Sequence, residues 1–385
     1  MYMSGEETKS GVVIDNGSFE IKAGFAGDKT PRSIFRAAVG HVRNNGLAIA
    51  TGGRRTLVGD RAIEKRGILN MKNPIREGIV TDWNSMENLW HHTFYESLMI
   101  PPEEHPVLMT DAPKNSDENR KKMFEVLFDV FNCPSAYVGV QAVLALCATG
   151  KTTGCVLDLG HDKSHMVPVF EGYGMPHATE KVPLTGRDLT AYLDGMLAKK
   201  GYDFSTPVES DLVRRMKEMH AYVADNFEKE TANVVQDPRP YERECALPDG
   251  SSLYLAAERF ACAEILFRPD MINKDKDASV TSSVLRVLGK CTPNLRTTMA
   301  ENLVLVGGTS TLPGLDRRLA DELQRAAPKM APPSVTAIPE RKYCAWMGGS
   351  ILSSLTTFSS MCVGKKEFDE VGASIFRRKC FCRAN

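Results

Sequence analysis

Gly11-Val12-Val13-Ile14-Asp15-Asn16-Gly17-Ser18 decides the fold, because Gly154-Cys155-Val156-Leu157-Asp158-Leu159-Gly160 repeats its design. In each, a short apolar run suited to a buried strand ends in an Asp-x-Gly turn. Each then continues as a second strand, Ile21 to Gly27 in the first and Met166 to Phe170 in the second. A third apolar run, Leu303-Val304-Leu305-Val306, ends in Gly307-Gly308-Thr309-Ser310 and leads into a helical stretch from Gly314 to Ala326. The two hairpins predict an internal duplication, with two similar lobes that each open on a hairpin. No long linker separates them, so a tight, cross-connected interface is expected rather than a tether.

Size and composition agree with this. A chain of 385 residues exceeds one typical core. Its 48 lysines and arginines balance 48 aspartates and glutamates. That neutrality argues against a general nucleic-acid or membrane-surface binder and suits association with further copies of the chain. The ten cysteines show no zinc-ligand spacing. The polar start, Met1 to Ser10, has no apolar leader, and no run of about 18 apolar residues occurs, so no membrane span is expected. The expected compartment is the cytoplasm, with the nucleus as the other candidate, and the thiols are expected to be reduced.

Helical spacing and cap signals predict helices over Asn115–Phe131, Asp188–Lys200 and Asp211–Phe227. Leu247-Pro248-Asp249-Gly250 predicts a turn between two strands. The glycine-punctuated stretch Asn44–Arg55 predicts an exposed, mobile loop.

Phosphate recognition needs backbone N–H groups at a tight turn together with a cation. Gly17, Ser18 and Phe19 offer amides and a hydroxyl, and Lys22 offers the charge. Gly160 to Ser164 offer amides from a second turn, and Gly307-Gly308-Thr309 form a third. Two facing hairpins would pinch a polyphosphate, and Asp15 and Asp158 would hold magnesium through its waters. Alone, either Asp-x-Gly hairpin is ordinarily just a turn and Lys22 a solvated charge. The duplicated pattern is what carries the phosphate reading.

Longer words then become legible: Lys22-Ala-Gly-Phe-Ala-Gly-Asp28, Lys65-Arg-Gly-Ile-Leu69, Leu89-Trp-His-His-Thr-Phe-Tyr95, Glu103-Glu-His-Pro-Val-Leu108, Gly186-Arg-Asp-Leu-Thr190, Pro339-Glu-Arg-Lys-Tyr343 and Gly348-Gly-Ser-Ile-Leu352. From Val13 to Phe381 the sequence resembles the actin family. The resemblance implies an α/β actin-like ATPase fold, with two duplicated ribonuclease-H-like lobes and four subdomains around a nucleotide cleft. Residues 1–36, 74–148 and 344–385 would form the first lobe core and 37–73 its small subdomain. Residues 149–184 and 276–343 would form the second core, and 185–275 its small subdomain. The implied ligands are ATP or ADP with Mg²⁺ or Ca²⁺. Ser18, Lys22 and the first-loop amides would hold the inner phosphates, and the amides of His161, Asp162 and Lys163 would face the terminal one. Gly186, Arg214, Lys217, Glu218, Gly308, Leu312 and Lys342 match the rest of the nucleotide pocket. Asp15, Asp158 and Gln141 would contact the metal through water. Gln141 and His165 match the positions that place and activate the hydrolytic water.

Departures from the family pattern set further expectations. Phe19 stands where the first loop has glycine, which predicts strain in any left-handed backbone there. His161 replaces an acid near the ribose, Leu312 a tyrosine along the nucleotide, and Asp162 a glycine facing the terminal phosphate. The Asp162 charge opposes that phosphate unless Lys163 offsets it. Slowed hydrolysis is expected. The apolar plug between filament strands becomes the charged stretch Met271–Ser279, expected to be a solvated loop. Glu77 replaces a usually methylated histidine, and Cys382–Asn385 extend past the family's end. Ile351, Leu352 and Leu355 keep part of the cleft used by actin-binding proteins, with Cys147 replacing an aromatic. The first expectation is a filament-forming protein, alone or with conventional actin. The alternative is a non-polymerising scaffold subunit. Sugar kinases and chaperone ATPases share the fold, but no acid–base pair for an acceptor sugar is evident.

Overall fold

Val12–Asn16 (β1) is buried along its whole length, as expected of a strand covered on both faces. A computed structural model describes residues 9–43, 51–330, 332–372 and 374–380. The chain forms two compact units, one from residues 1–153, 169–177 and 343–385 and the other from 154–168 and 178–342.

In the first unit β1 is followed by Glu20–Phe25 (β2), Ser33–Arg36 (β3), Val107–Asp111 (β4) and Ser135–Val140 (β5). Their order is β3-β2-β1-β4-β5. β1, β2 and β3 are antiparallel neighbours, whereas β4 runs parallel to both β1 and β5. The β1–β2 register sets Asp15 directly across from Lys22. The helix Cys344–Ser353 lies on this sheet and against the helix Gln141–Ala148. Two glycines permit the approach. A Cβ at Gly348 would fall 1.7 Å from the Leu144 carbonyl oxygen, and one at Gly349 would fall 2.9 Å from Val13. Trp346 locks the contact by donating Nε1–H to the Val13 carbonyl at 3.0 Å.

The second unit is built on Gly154–Leu159 (β6), Ser164–Phe170 (β7), Leu303–Val306 (β9) and Val335–Thr336 (β10). Tyr173–Gly174 (β8) pairs with the end of β7, and both those pieces group with the first unit. The order is β8-β7-β6-β9-β10, with β9 parallel to β6 and β10. Over these five strands the order and the parallel pairings repeat those of the first sheet, so the duplication read from two hairpins extends through five strands.

Cap chemistry explains the helix boundaries. Ser116 caps Asp117–Glu125, accepting from Asn119 N–H, and helical backbone continues in a wider turn to Val130. Thr185 and Asp188 form a capping box on Gly186–Lys199. The single helix expected over Asp211–Phe227 is instead two, Pro207–His220 and Phe227–Gln236. Thr206, Pro207 and Glu209 start the first, and Asn226 caps the second by accepting from Lys229 N–H. The expected turn closes the hairpin Arg243–Ala246/Ser252–Leu255, with Gly250 at φ 85°.

Of the loop expected over Asn44–Arg55, Asn44–Ala50 lie outside the described residues; Gly52, Gly53, Arg54 and Arg55 are exposed as expected, while Thr51 is buried with its hydroxyl donating to the Arg54 carbonyl at 2.6 Å. In the charged stretch, Asn273, Asp275, Lys276 and Asp277 are exposed as expected. Lys274 is not simply solvated, because its ammonium donates to the Pro183 carbonyl at 2.6 Å and to Asp188 at 2.8 Å. Cys382–Asn385 also lie outside the described residues. Among those described, no helix is long and apolar enough to cross a membrane.

Candidate functional site

The first hairpin tip closes on glycine for a steric reason. A Cβ at Gly17 would stand 2.5 Å from the Glu20 carbonyl oxygen and 3.5 Å from Lys22 Nζ. Beneath the tip is a buried polar cluster. Lys22 Nζ donates to Asp15 Oδ2 at 2.8 Å. Thr110 Oγ1 and Gln141 Nε2 donate to Asp15 Oδ1 at 2.7 and 3.0 Å. Burial pushes the Asp15 carboxyl up, but the charge and hydrogen bond of Lys22, aided by Thr110 and Gln141, outweigh it and hold the group below the usual carboxylate range. Asn16 fixes the tip further, its side-chain oxygen accepting from Trp90 Nε1–H at 3.1 Å and its N–H donating to Thr110 Oγ1 at 2.9 Å. Ser18 is half-buried on the tip.

The backbone at Phe19 is not left-handed, since it is not among the residues with positive φ, so the strain such a backbone would bring does not arise. Its ring lies under the Arg36 guanidinium, 3.9 Å from the ring centroid, and its carbonyl accepts from Ala37 N–H at 2.9 Å. The bulk is absorbed beside the loop.

The second tip repeats the first. A Cβ at Gly160 would stand 2.5 Å from the Lys163 carbonyl, to which Gly160 N–H donates at 3.0 Å. Three donors then staple the tip from outside. Thr309 Oγ1 and Gly186 N–H reach the Gly160 carbonyl at 3.0 and 2.9 Å, and Arg187 N–H reaches the His161 carbonyl at 2.9 Å. Asp162 is paired with Arg187, Oδ1 to Nη2 at 2.8 Å, a counter-charge the sequence reading did not name. Lys163 and His165 are buried. Ser164 Oγ is fully buried without a hydrogen-bond partner among the described residues. Asp158, half-buried on β6, faces a turn that only glycine allows. Gly307 sits at φ 91°, and a Cβ there would fall 2.5 Å from Asp158 Oδ1.

Behind this tip Lys217 donates to the Gly186 carbonyl at 2.7 Å and to Thr190 Oγ1 at 2.9 Å. Burial brings its pKa down to about 8. One turn earlier Arg214 binds Asp211 at 3.1 Å and Glu218 at 2.5 Å. Leu312 is buried, Gly308 has open space around it, and Gly307 N–H donates to the Arg341 carbonyl beside half-buried Lys342. Among the described residues no three His, Cys, Asp or Glu side chains converge as a direct metal cage.

The family model described as Actin matches residues 6–381. The chain belongs to the actin family. Its fold is therefore the actin-like ATPase fold, which the repeated strand order expresses. Nucleotide binding with a divalent cation is typical of actin-family proteins, and the residues here fit such a group. Each tip closes on a glycine whose Cβ would crowd a backbone carbonyl oxygen at 2.5 Å, the first has a buried cation beneath it, and the second has an unsatisfied buried hydroxyl beside it. Asp15, Lys22 and Gln141 come together in the first unit, and Asp158, Gly160, Gly186, Lys217, Gly307 and Thr309 in the second. Arg187, Arg36, Thr110 and Trp90 were not foreseen as tip partners. Arg187 and Trp90 had a sequence signal, lying inside the actin-family words Gly186–Thr190 and Leu89–Tyr95, and Arg36 and Thr110 had none.

Proposed function

We propose that the chain is an ATP-binding cytoskeletal protein that assembles head to tail into filaments, alone or with conventional actin. The observation that carries the nucleotide part is the repeated glycine tip, with Gly17 over the buried Lys22–Asp15 pair in one unit and Gly160 stapled by Gly186 and Thr309 in the other. Lys22, Ser18 and the tip amides would hold phosphates, with the metal, when bound, neutralising phosphate charge. Asp15 and Asp158 would meet the metal through its waters. Gln141 and His165 would place and activate water. Asp162 adds negative charge at the second tip and supports slow turnover, so the chain would be a weak ATPase at most. Nucleotide-dependent closure of the lobes would tune the filament contacts, and non-closing head-to-tail contacts give open helices. Ile351 and Leu355, both about half exposed, are proposed as the landing site of actin-binding proteins. Nine described free cysteines support a reducing, cytoplasmic setting.

A second reading, a non-polymerising scaffold subunit, is favoured by the tied-down Lys274 and its exposed charged neighbours. High-speed sedimentation after adding Mg-ATP and salt, with and without conventional actin, separates the two. A saturable pellet above a critical concentration supports the filament protein, and a chain that stays in the supernatant in both cases supports the scaffold. A single-turnover ATPase rate equal to that of conventional actin would remove the claim of slow hydrolysis.

A further inference from the structure

We infer that Asp162 and Arg187 make the second tip selective for phosphate number, so that this protein favours a nucleoside diphosphate over the triphosphate. The inference rests on the reading that the two hairpin tips hold nucleotide phosphates. The second tip is fixed in place, because the carbonyls of Gly160, His161 and Lys163 are all engaged by backbone or hydroxyl donors. A side chain at position 162 therefore cannot withdraw by letting the loop move.

The Asp162 carboxylate is 90% covered, and the Arg187 side chain that pairs with it is 63% exposed. A covered charge is weakly screened, while its partner sits on a long stem in solvent. Each phosphate added near this tip meets the carboxylate first. Arg187 relieves it by turning some of its donors from Asp162 to the phosphate. The first tip poses no such conflict. There the corresponding residue is Phe19, uncharged, and its arginine, Arg36, stacks on the ring. Two tips of one repeat thus place an arginine against the same position, and only the second sets that arginine between an acid and an incoming anion. A triphosphate carries one more phosphate into this conflict than a diphosphate does.

The test is equilibrium binding of Mg-ATP and Mg-ADP, read by displacement of a fluorescent adenine nucleotide from the full chain. Asp162→Gly, Asp162→Asn and Arg187→Ala are compared, with Asp162→Asn keeping the size of the side chain should the glycine variant unfold. The Kd ratio of ATP to ADP is expected to fall about tenfold in both Asp162 variants, the size of a like-charge contact in a partly screened site. It is expected to rise in Arg187→Ala, and Arg187→Ala should matter much less once Asp162 is neutral. A ratio unchanged within about twofold in both Asp162 variants, with both nucleotides bound, overturns the inference. Failure of the unaltered chain and all the variants to bind either nucleotide overturns the nucleotide reading beneath it.

Discussion

Lys22 and Asp15 show how much can depend on one buried charge pair. Both side chains are at most a tenth exposed. Replacing Lys22 by methionine leaves a carboxylate buried without its counter-ion, and a loss of about 3–5 kcal/mol in denaturant unfolding is expected. The pH dependence follows the same logic. The Asp15 pKa is lowered in the folded state, so its stabilisation is present above the ordinary carboxylate pKa and is lost as pH falls through the folded value. In Lys22→Met that support goes and burial is left to raise the Asp15 carboxyl, so the loss should be largest near neutral pH and should shrink as pH falls and the carboxyl protonates. Lys217 has the opposite charge type. Burial lowers it to about 8, so the folded protein resists protonating it, and stability should rise between pH about 8 and about 10.4. Urea midpoints across that range should flatten in Lys217→Met. At this scale the sequence showed Asp15, Lys22 and Gln141, since their type and place in repeated or family words mark them. It did not show Arg187 or Arg36 as partners of positions 162 and 19, because those contacts are made by side chains arriving from other strands and helices.

Glycines show that identical substitutions act oppositely in different elements. Gly195 lies exposed in the helix Gly186–Lys199, and a Cβ there meets nothing within 4 Å. Gly195→Ala should stabilise by about 1 kcal/mol through helix propensity alone. Gly348 lies in the helix Cys344–Ser353, where the same Cβ would overlap the Leu144 carbonyl. Gly348→Ala should cost at least about 3 kcal/mol or abolish folding, because neither backbone can give way cheaply. Thermal melts of the two variants side by side check both signs. The elements themselves were largely legible. Strands came from apolar runs and the Ser116 cap from its sequence signal. The break between His220 and Phe227 was missed because apolar residues continue at helical spacing through it, while the cap at Asn226 works through a side-chain acceptor that periodicity does not reveal.

For the whole molecule, ligand linkage offers the broadest check of the nucleotide reading. Mg-ATP or Mg-ADP at a hundredfold excess over Kd should stabilise the native chain by about 2.7 kcal/mol and raise the melting temperature by several degrees. Chelating the metal with EDTA should reverse most of the shift. The repeated five-strand order was legible only as two hairpins, because β4, β5, β9 and β10 reach their sheets after long excursions that leave no local mark. Those excursions also govern how the protein comes into being. The first unit needs residues 343 onward to cover β1, through Trp346 and Gly349, yet β1 is synthesised long before them. At translation speeds of about 5–20 residues per second, its sheet face waits on the order of tens of seconds for its lid. During that wait the nascent chain carries an unfinished core and the entire second unit. Truncation just before Tyr343 should therefore release a product that aggregates rather than a smaller folded protein, and successful synthesis calls for something that shelters the early strands until the last helices emerge.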